Sequence, residues 1–114
     1  EIIAHSGQAS FLAVLKSSGA ANLGMLSYLF DGHTLALDFP FRGEKTIELC
    51  ERLDQVLLEF GGRVYLAKDS LVSAEHFSQM YPRIDEFREL KHRLDPDSVF
   101  RSHQSDRVGL TEAR

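Results

Sequence analysis

An α+β domain, an antiparallel sheet with helices packed on one face, is what this sequence predicts. Three observations carry that. Thr34 to Phe39 alternates as a strand does, with Leu35, Leu37 and Phe39 on one side and Thr34, Ala36 and Asp38 on the other. Ile47, Cys50, Leu53, Leu57 and Phe60 then recur at helical spacing, as do Ile84, Phe87, Leu90 and Leu94. Gly and Pro punctuate the chain between these segments.

Taken in order, Glu1 to His5 runs into Ser6-Gly7, a helix-stop signal, and reads as the last turn of a helix whose start lies upstream. A fragment of a longer chain is therefore expected. Ser10 to Lys16 is short and apolar, and its period alone does not separate strand from helix. Ser17 to Gly24 is a loop. Leu26 to Phe30 and Thr34 to Phe39 flank Asp31-Gly32-His33, and an Asp-Gly turn between apolar runs predicts a hairpin. The apolar side of the Thr34–Phe39 strand should pack on helices, leaving the Thr34, Ala36 and Asp38 side for solvent or a ligand. Pro40 ends that strand.

Gly61-Gly62 should terminate the long helix, and Val64 to Leu66 reads as a short strand. Ser73 is placed to cap a helix running to Met80, with Glu75 in its first turn. Tyr81-Pro82 breaks that helix and Pro82 opens the next, which Asp95-Pro96 stops. Gln104 to Arg114 is polar and without clear period, and reads as a tail or as a segment that packs on something absent.

With 114 residues the chain is one domain or a piece of one. Seventeen acidic residues against 13 Lys and Arg give a net charge of −4, which argues against a nucleic-acid surface. No apolar run approaches the ~20 residues that span a bilayer, and the N-terminus lacks the order of a signal peptide. A cytoplasmic parent, free or membrane-associated, is the expectation. The single cysteine, Cys50, has no internal disulfide partner and reads as a buried structural thiol.

Few residues advertise chemistry. The five histidines form no i, i+4 pair and no Cys-x-x-Cys exists, so no metal site is expected. No Walker loop or Gly-x-Gly-x-x-Gly offers a phosphate cradle. The charges from Arg83 to Arg93 interleave by sign and read as a solvated face. Lys16 and Lys68 each follow an apolar stretch, from which a side chain can reach into a pocket. A solvated lysine is the simpler reading of each.

Four stretches alter that weighting: Thr-Leu-Ala-Leu-Asp-Phe-Pro (34–40), Leu-Glu-Phe-Gly-Gly-Arg-Val-Tyr-Leu-Ala-Lys-Asp-Ser (58–70), Met-Tyr-Pro-Arg-Ile-Asp-Glu (80–86) and Asp-Pro-Asp-Ser-Val-Phe-Arg-Ser (95–102). Together they resemble the C-terminal part of FAD-dependent sugar oxidases of the vanillyl-alcohol-oxidase type. The decaprenylphosphoryl-β-D-ribose 2-oxidases are nearer and the D-arabinono-1,4-lactone oxidases more distant. The likeness runs from about Phe11 to Leu110. The 58–70 run is its specific part, and the Asp-Pro-x-x-x-Phe ending is more widely shared.

The resemblance implies a ferredoxin-like substrate (cap) domain over 1–80. It implies a helical segment over 81–114 that returns to an FAD-binding domain encoded upstream in the same parent. It implies FAD as cofactor, held mainly by that domain, and a sugar or sugar-lactone carbinol as substrate. Lys68 matches a lysine beside flavin and substrate, where it stabilises the charge that develops on hydride transfer. Tyr65 matches an aromatic that faces both. Lys16 matches a second lysine facing the same cavity, which favours a strand for Ser10–Lys16. Thr34 and Ala36 stand where the nearer group carries asparagine and cysteine, and Ser18 stands where it carries a bulky aromatic, so a wider pocket is expected. Asp69 is placed to tether the neighbouring turn. The isolated chain should be inactive, and any apolar surface it offers to the FAD domain should favour self-association. The alternative reading is a non-catalytic α+β binding or assembly domain.

Overall fold

The computed structural model describes residues 1–111. Its elements in chain order are α1 (Ile2–His5), β1 (Leu12–Ser18), β2 (Gly32–Asp38), α2 (Glu44–Glu59), α3 (Ala74–Met80), α4 (Ile84–Leu94) and α5 (His103–Arg107). The α+β class is as expected: one antiparallel sheet followed by helices.

β1 pairs with β2, with Leu12 opposite Asp38 and Ser18 opposite Gly32. The expected strand from Ser10 is therefore real, but the expected hairpin is not. Leu26 to Phe30 is not a strand, and the partner of β2 lies further back in the chain. The reason is visible in the backbone groups. The Ser27 carbonyl accepts from Arg63 Nη1 at 2.7 Å, and the Phe30 carbonyl accepts from Ser18 Oγ at 3.0 Å. Gly32 is itself the first residue of β2, so Asp31-Gly32 opens a strand instead of turning between two.

Directly opposed residues share a face of the ribbon. Lys16 with Thr34 and Val14 with Ala36 lie on one face, and Leu15 with Leu35 on the other. Leu15 is 69% exposed and Leu35 58%, so the apolar face expected beneath helices stays largely open at these positions. Thr34 and Ala36 are half-buried.

The termini of α2 are set by local chemistry. At its start the Thr46 hydroxyl accepts from the Arg42 N–H at 2.8 Å and donates to Gln8 Oε1 at 2.9 Å. Gln8 in turn donates to the Lys45 carbonyl at 2.7 Å, fastening the segment after α1 to the helix. At its end Gly61 takes φ +65°, and the N–H groups of Gly61 and Gly62 return to the carbonyls of Leu58 and Leu57. That is a Schellman motif, and the left-handed position favours glycine. The inward face of α2 differs from the apolar stripe. Thr46, Leu49 and Asp54 are buried, while Phe60, counted in the stripe, is exposed. Cys50 is half-buried.

Ser73 caps α3, its hydroxyl accepting from the His76 N–H at 3.1 Å, as its position predicts. α4 starts two residues after Pro82 and stops at Asp95. The Asp95 carboxylate then organises the next turn. It accepts from the N–H groups of Val99 and Phe100 at 2.8 and 3.0 Å and pairs with Lys91 at 2.7 Å.

The main core gathers Val72, Phe77, Met80, Tyr81, Ile84 and Val108, with Leu57, Leu58, Val64 and Leu66 packed around them. Val108 is fully buried. Gln104 to Thr111 is therefore no tail. Ser102 and Ser105 form a capping box that starts α5. Arg107 Nη1 donates to the Val72 carbonyl at 2.6 Å, and Thr111 bonds Asp106. The short period of one and a half helical turns hid an element whose apolar contribution is chiefly Val108 and Leu110. The remaining residues of the expected tail, 112–114, lie outside the described part.

Candidate substrate-facing site

The residues expected at the site fall into two groups that a third residue joins. On the sheet, Lys16 stands opposite Thr34 and Ala36 opposite Val14, all on one face. Away from the sheet, Tyr65 and Lys68 lie in the stretch after α2. Tyr28, which sequence reasoning passed over as part of a strand, connects them. Its ring sits 4.7 Å from that of Tyr65, tilted by 31°. Its phenol lies near enough to the Thr34 hydroxyl for that group to act on it. Burial pushes the Tyr28 phenol above its ordinary pKa; the Thr34 hydroxyl opposes that rise and the neighbouring Tyr65 adds to it.

Lys68 does not end a strand. Val64 to Leu66 forms no strand: the chain turns from Leu66, and the N–H groups of Lys68 and Asp69 both donate to the Tyr65 carbonyl at 3.0 Å. A strand needs a neighbouring ladder. Here the Val64 carbonyl is taken by the Tyr81 hydroxyl at 2.7 Å and the Leu66 carbonyl by Gln104 Nε2 at 2.6 Å. The turn does for Lys68 what a strand end would have done, fixing its backbone beside Tyr65. Asp69 completes the turn. Its Oδ1 accepts from the N–H groups of Leu71 and Val72 at 3.2 and 3.1 Å, and its Oδ2 pairs with Arg107 at 2.9 Å. Asp69 thus tethers the neighbouring segment, as its position implied.

Lys16 and Lys68 are exposed, and neither ammonium has an acidic partner among the described residues. Lys91, in contrast, is neutralised by Asp95. Lys16, Thr34 and the Tyr28–Tyr65 ring pair are thus neighbours in turn, and the Lys68 backbone is fixed next to Tyr65. Such a set suits a polyhydroxylated or anionic molecule with a flat ring, since it offers donors, acceptors and a stacking face.

A second polar cluster lies between helices. Asp54 on α2 is 7% exposed, and its Oδ2 lies 3.6 Å from Nδ1 of His76 on α3. Burial raises the Asp54 pKa from 3.8 to about 6; the proximity of His76 opposes the rise and Asp69 and Glu51 add to it. The Cys50 thiol, one turn away, is also pushed up, first by burial and then by Asp54. The apolar spacing of α2 gave no sign of this pair, because an aspartate on an inward face is legible only from its partner.

The family model of D-arabinono-1,4-lactone oxidase matches residues 35–108. Over 108 residues the chain is 44% identical to the decaprenylphosphoryl-β-D-ribose oxidase of Mycolicibacterium smegmatis, covering 95% of this chain and 23% of that protein. It is 41% identical, again over 108 residues and 95% of its length, to an uncharacterized protein in the mprA 5′ region of Streptomyces coelicolor, covering 29% of that protein. The chain thus spans about a quarter of the length of these relatives, and on the breadth of both matches it belongs to the D-arabinono-1,4-lactone oxidase family.

Proposed function

We propose that this chain is the substrate-facing, C-terminal portion of an FAD-linked oxidoreductase that oxidises a sugar or sugar-lactone carbinol. What supports the reading, beside family membership, is the linkage Lys16–Thr34–Tyr28–Tyr65, with Lys68 held next to Tyr65 by the turn.

The residues suit the reacting end of a flavin. Tyr65 presents a half-exposed ring, and Lys68, whose backbone N–H bonds the Tyr65 carbonyl, has no acidic partner among the described residues. They do not suit its diphosphate, for which the sequence has no glycine-rich cradle. That end falls to the FAD-binding domain of the parent. When bound, the flavin supplies a two-electron acceptor for the hydride of the carbinol carbon, while the hydroxyl proton leaves to solvent. Lys68 acts as a fixed positive charge where negative charge develops. Such a charge is effective because it needs no reorganisation at the moment of reaction. Lys16 and Thr34 bind substrate hydroxyls, Tyr65 orients ring and substrate, and Ala36 leaves room on the same face.

Docking on the parent's FAD domain is assigned to the 81–114 segment. Phe87, Leu90, Leu94 and Phe100 line an open apolar cleft of about 280 Å³, and exposed Val99 follows on the adjoining turn. In the chain alone, the same surface favours self-association.

The test is the visible spectrum of the parent protein before and after adding a panel of sugars and lactones. Flavin bands that bleach with one of them support the reading. A colourless parent that takes up no FAD sinks it and leaves a binding or assembly domain.

A further inference from the structure

The side chains of the proposed site are brought together by two residues that the expected site does not include. Arg63 follows directly on the glycine pair that ends α2, so its backbone is fixed by that helix. Its Nη1 donates to the Ser27 carbonyl at 2.7 Å. Its guanidinium lies 4.8 Å from the centre of the Phe30 ring and 5.4 Å from that of Tyr81. Tyr81 is a fully buried core residue whose hydroxyl is itself tied to the Val64 carbonyl. Arg63 therefore clamps the 19–31 segment against the core with a flat cation between two rings, a geometry that a lysine does not reproduce.

Tyr28 lies between the two clamped positions, one residue after Ser27 and two before Phe30. The Phe30 carbonyl is held a second time by Ser18 Oγ, from the end of β1. The backbone of Tyr28 is thus pinned on both sides. Its ring packs on Tyr65 and its phenol lies near Thr34, the cross-strand partner of Lys16. One side chain touches both halves of the site.

We propose that Arg63 and Tyr28 are positioning residues: Arg63 places the 19–31 segment, and Tyr28 on it sets the orientation of Tyr65 and Thr34 toward substrate. Their roles as site-builders rest on the oxidase reading above; the contacts themselves do not. Two experiments separate these. The first uses the chain itself and no flavin. Nuclear Overhauser contacts between the Tyr28 and Tyr65 rings should be present, and Arg63→Met should abolish them while the Lys16–Thr34 cross-strand contacts persist. If Arg63→Met does not fold, Arg63→Lys serves, since it keeps the charge and loses the planar fork. Ring contacts that survive loss of the fork overturn the role of Arg63.

The second uses the flavin-containing parent. Tyr28→Phe keeps the ring and loses the phenol, and should raise KM about fivefold with kcat within about twofold. Thr34→Val also removes a hydroxyl assigned to substrate and should raise KM at least as far. Because the Tyr28 phenol acts through Thr34, adding Tyr28→Phe to Thr34→Val should cost nothing more. A further loss of about fivefold in the double variant would mean independent action and overturn the role of Tyr28. A parent without flavin would defeat the oxidase reading, and the ring contacts would still decide whether Arg63 and Tyr28 gather these side chains.

Discussion

Replacing Asp54 by asparagine should stabilise this chain at neutral pH and leave it unchanged in acid. Asp54 is 7% exposed, and burial lifts its pKa from 3.8 to about 6. A carboxyl that is raised on folding binds its proton more tightly in the folded state. Its contribution is therefore fully present below pH ~4 and is lost as the pH rises through about 6. A rise of roughly two pH units, at about 1.4 kcal/mol each, sets an upper figure of about 3 kcal/mol at pH 7.5. The amide carries no charge to bury, so the Asp54→Asn variant should escape that loss. The favourable approach of His76 at 3.6 Å is lost with it, which trims the gain. Urea unfolding at half-unit steps from pH 4 to 8 reads the effect directly. The variant minus parent difference should start near zero and grow to between about 1 and 3 kcal/mol. A difference that stays flat, or an asparagine variant that is less stable at pH 7.5, would show that the pairing with His76 outweighs the burial of Asp54 and refute the reasoning.

Other perturbations follow from the same contacts. Thr46→Val leaves Gln8 Oε1 without its donor and the Arg42 N–H without its acceptor, and should cost about 1–3 kcal/mol in urea unfolding, with Thr46→Ser restoring most of it. Gly61→Ala meets no atom within 4 Å but must hold φ +65°, and should lower stability by about 1 kcal/mol. Asp95→Ala removes the acceptor of the Val99 and Phe100 N–H groups, so hydrogen exchange at those two amides should quicken while the amides of α2 keep their protection.

What could be read from the sequence was mostly local. Gly61-Gly62, Ser73 and Asp95-Pro96 each fix a helix end through bonds to residues a few positions away, and each end stands where those residues place it. The hairpin failed for the opposite reason. Asp31-Gly32 is a strong turn signal between neighbouring strands, but the strand that pairs with β2 begins at Leu12, and only the pairing itself shows that. The stripe on α2 was read from apolar residues alone, and it missed Thr46 and Asp54, polar residues buried because they have partners at Gln8 and His76. The site shows the same division. Lys68 and Tyr65, which the resemblance proposes for the site, sit in one sequence motif. Arg63 reaches the segment that carries Tyr28 through Ser27, 36 positions away, where no spacing rule reaches.

The most direct measurement is the rate of anaerobic flavin reduction in the parent protein, with and without Lys68→Met, using the sugar that bleaches the unmodified protein. If the turn holds a charge at the site of hydride transfer, reduction should slow by at least about a hundredfold while the bound flavin spectrum is retained. An unchanged rate would remove Lys68 from the chemistry and contradict the proposed role of this chain.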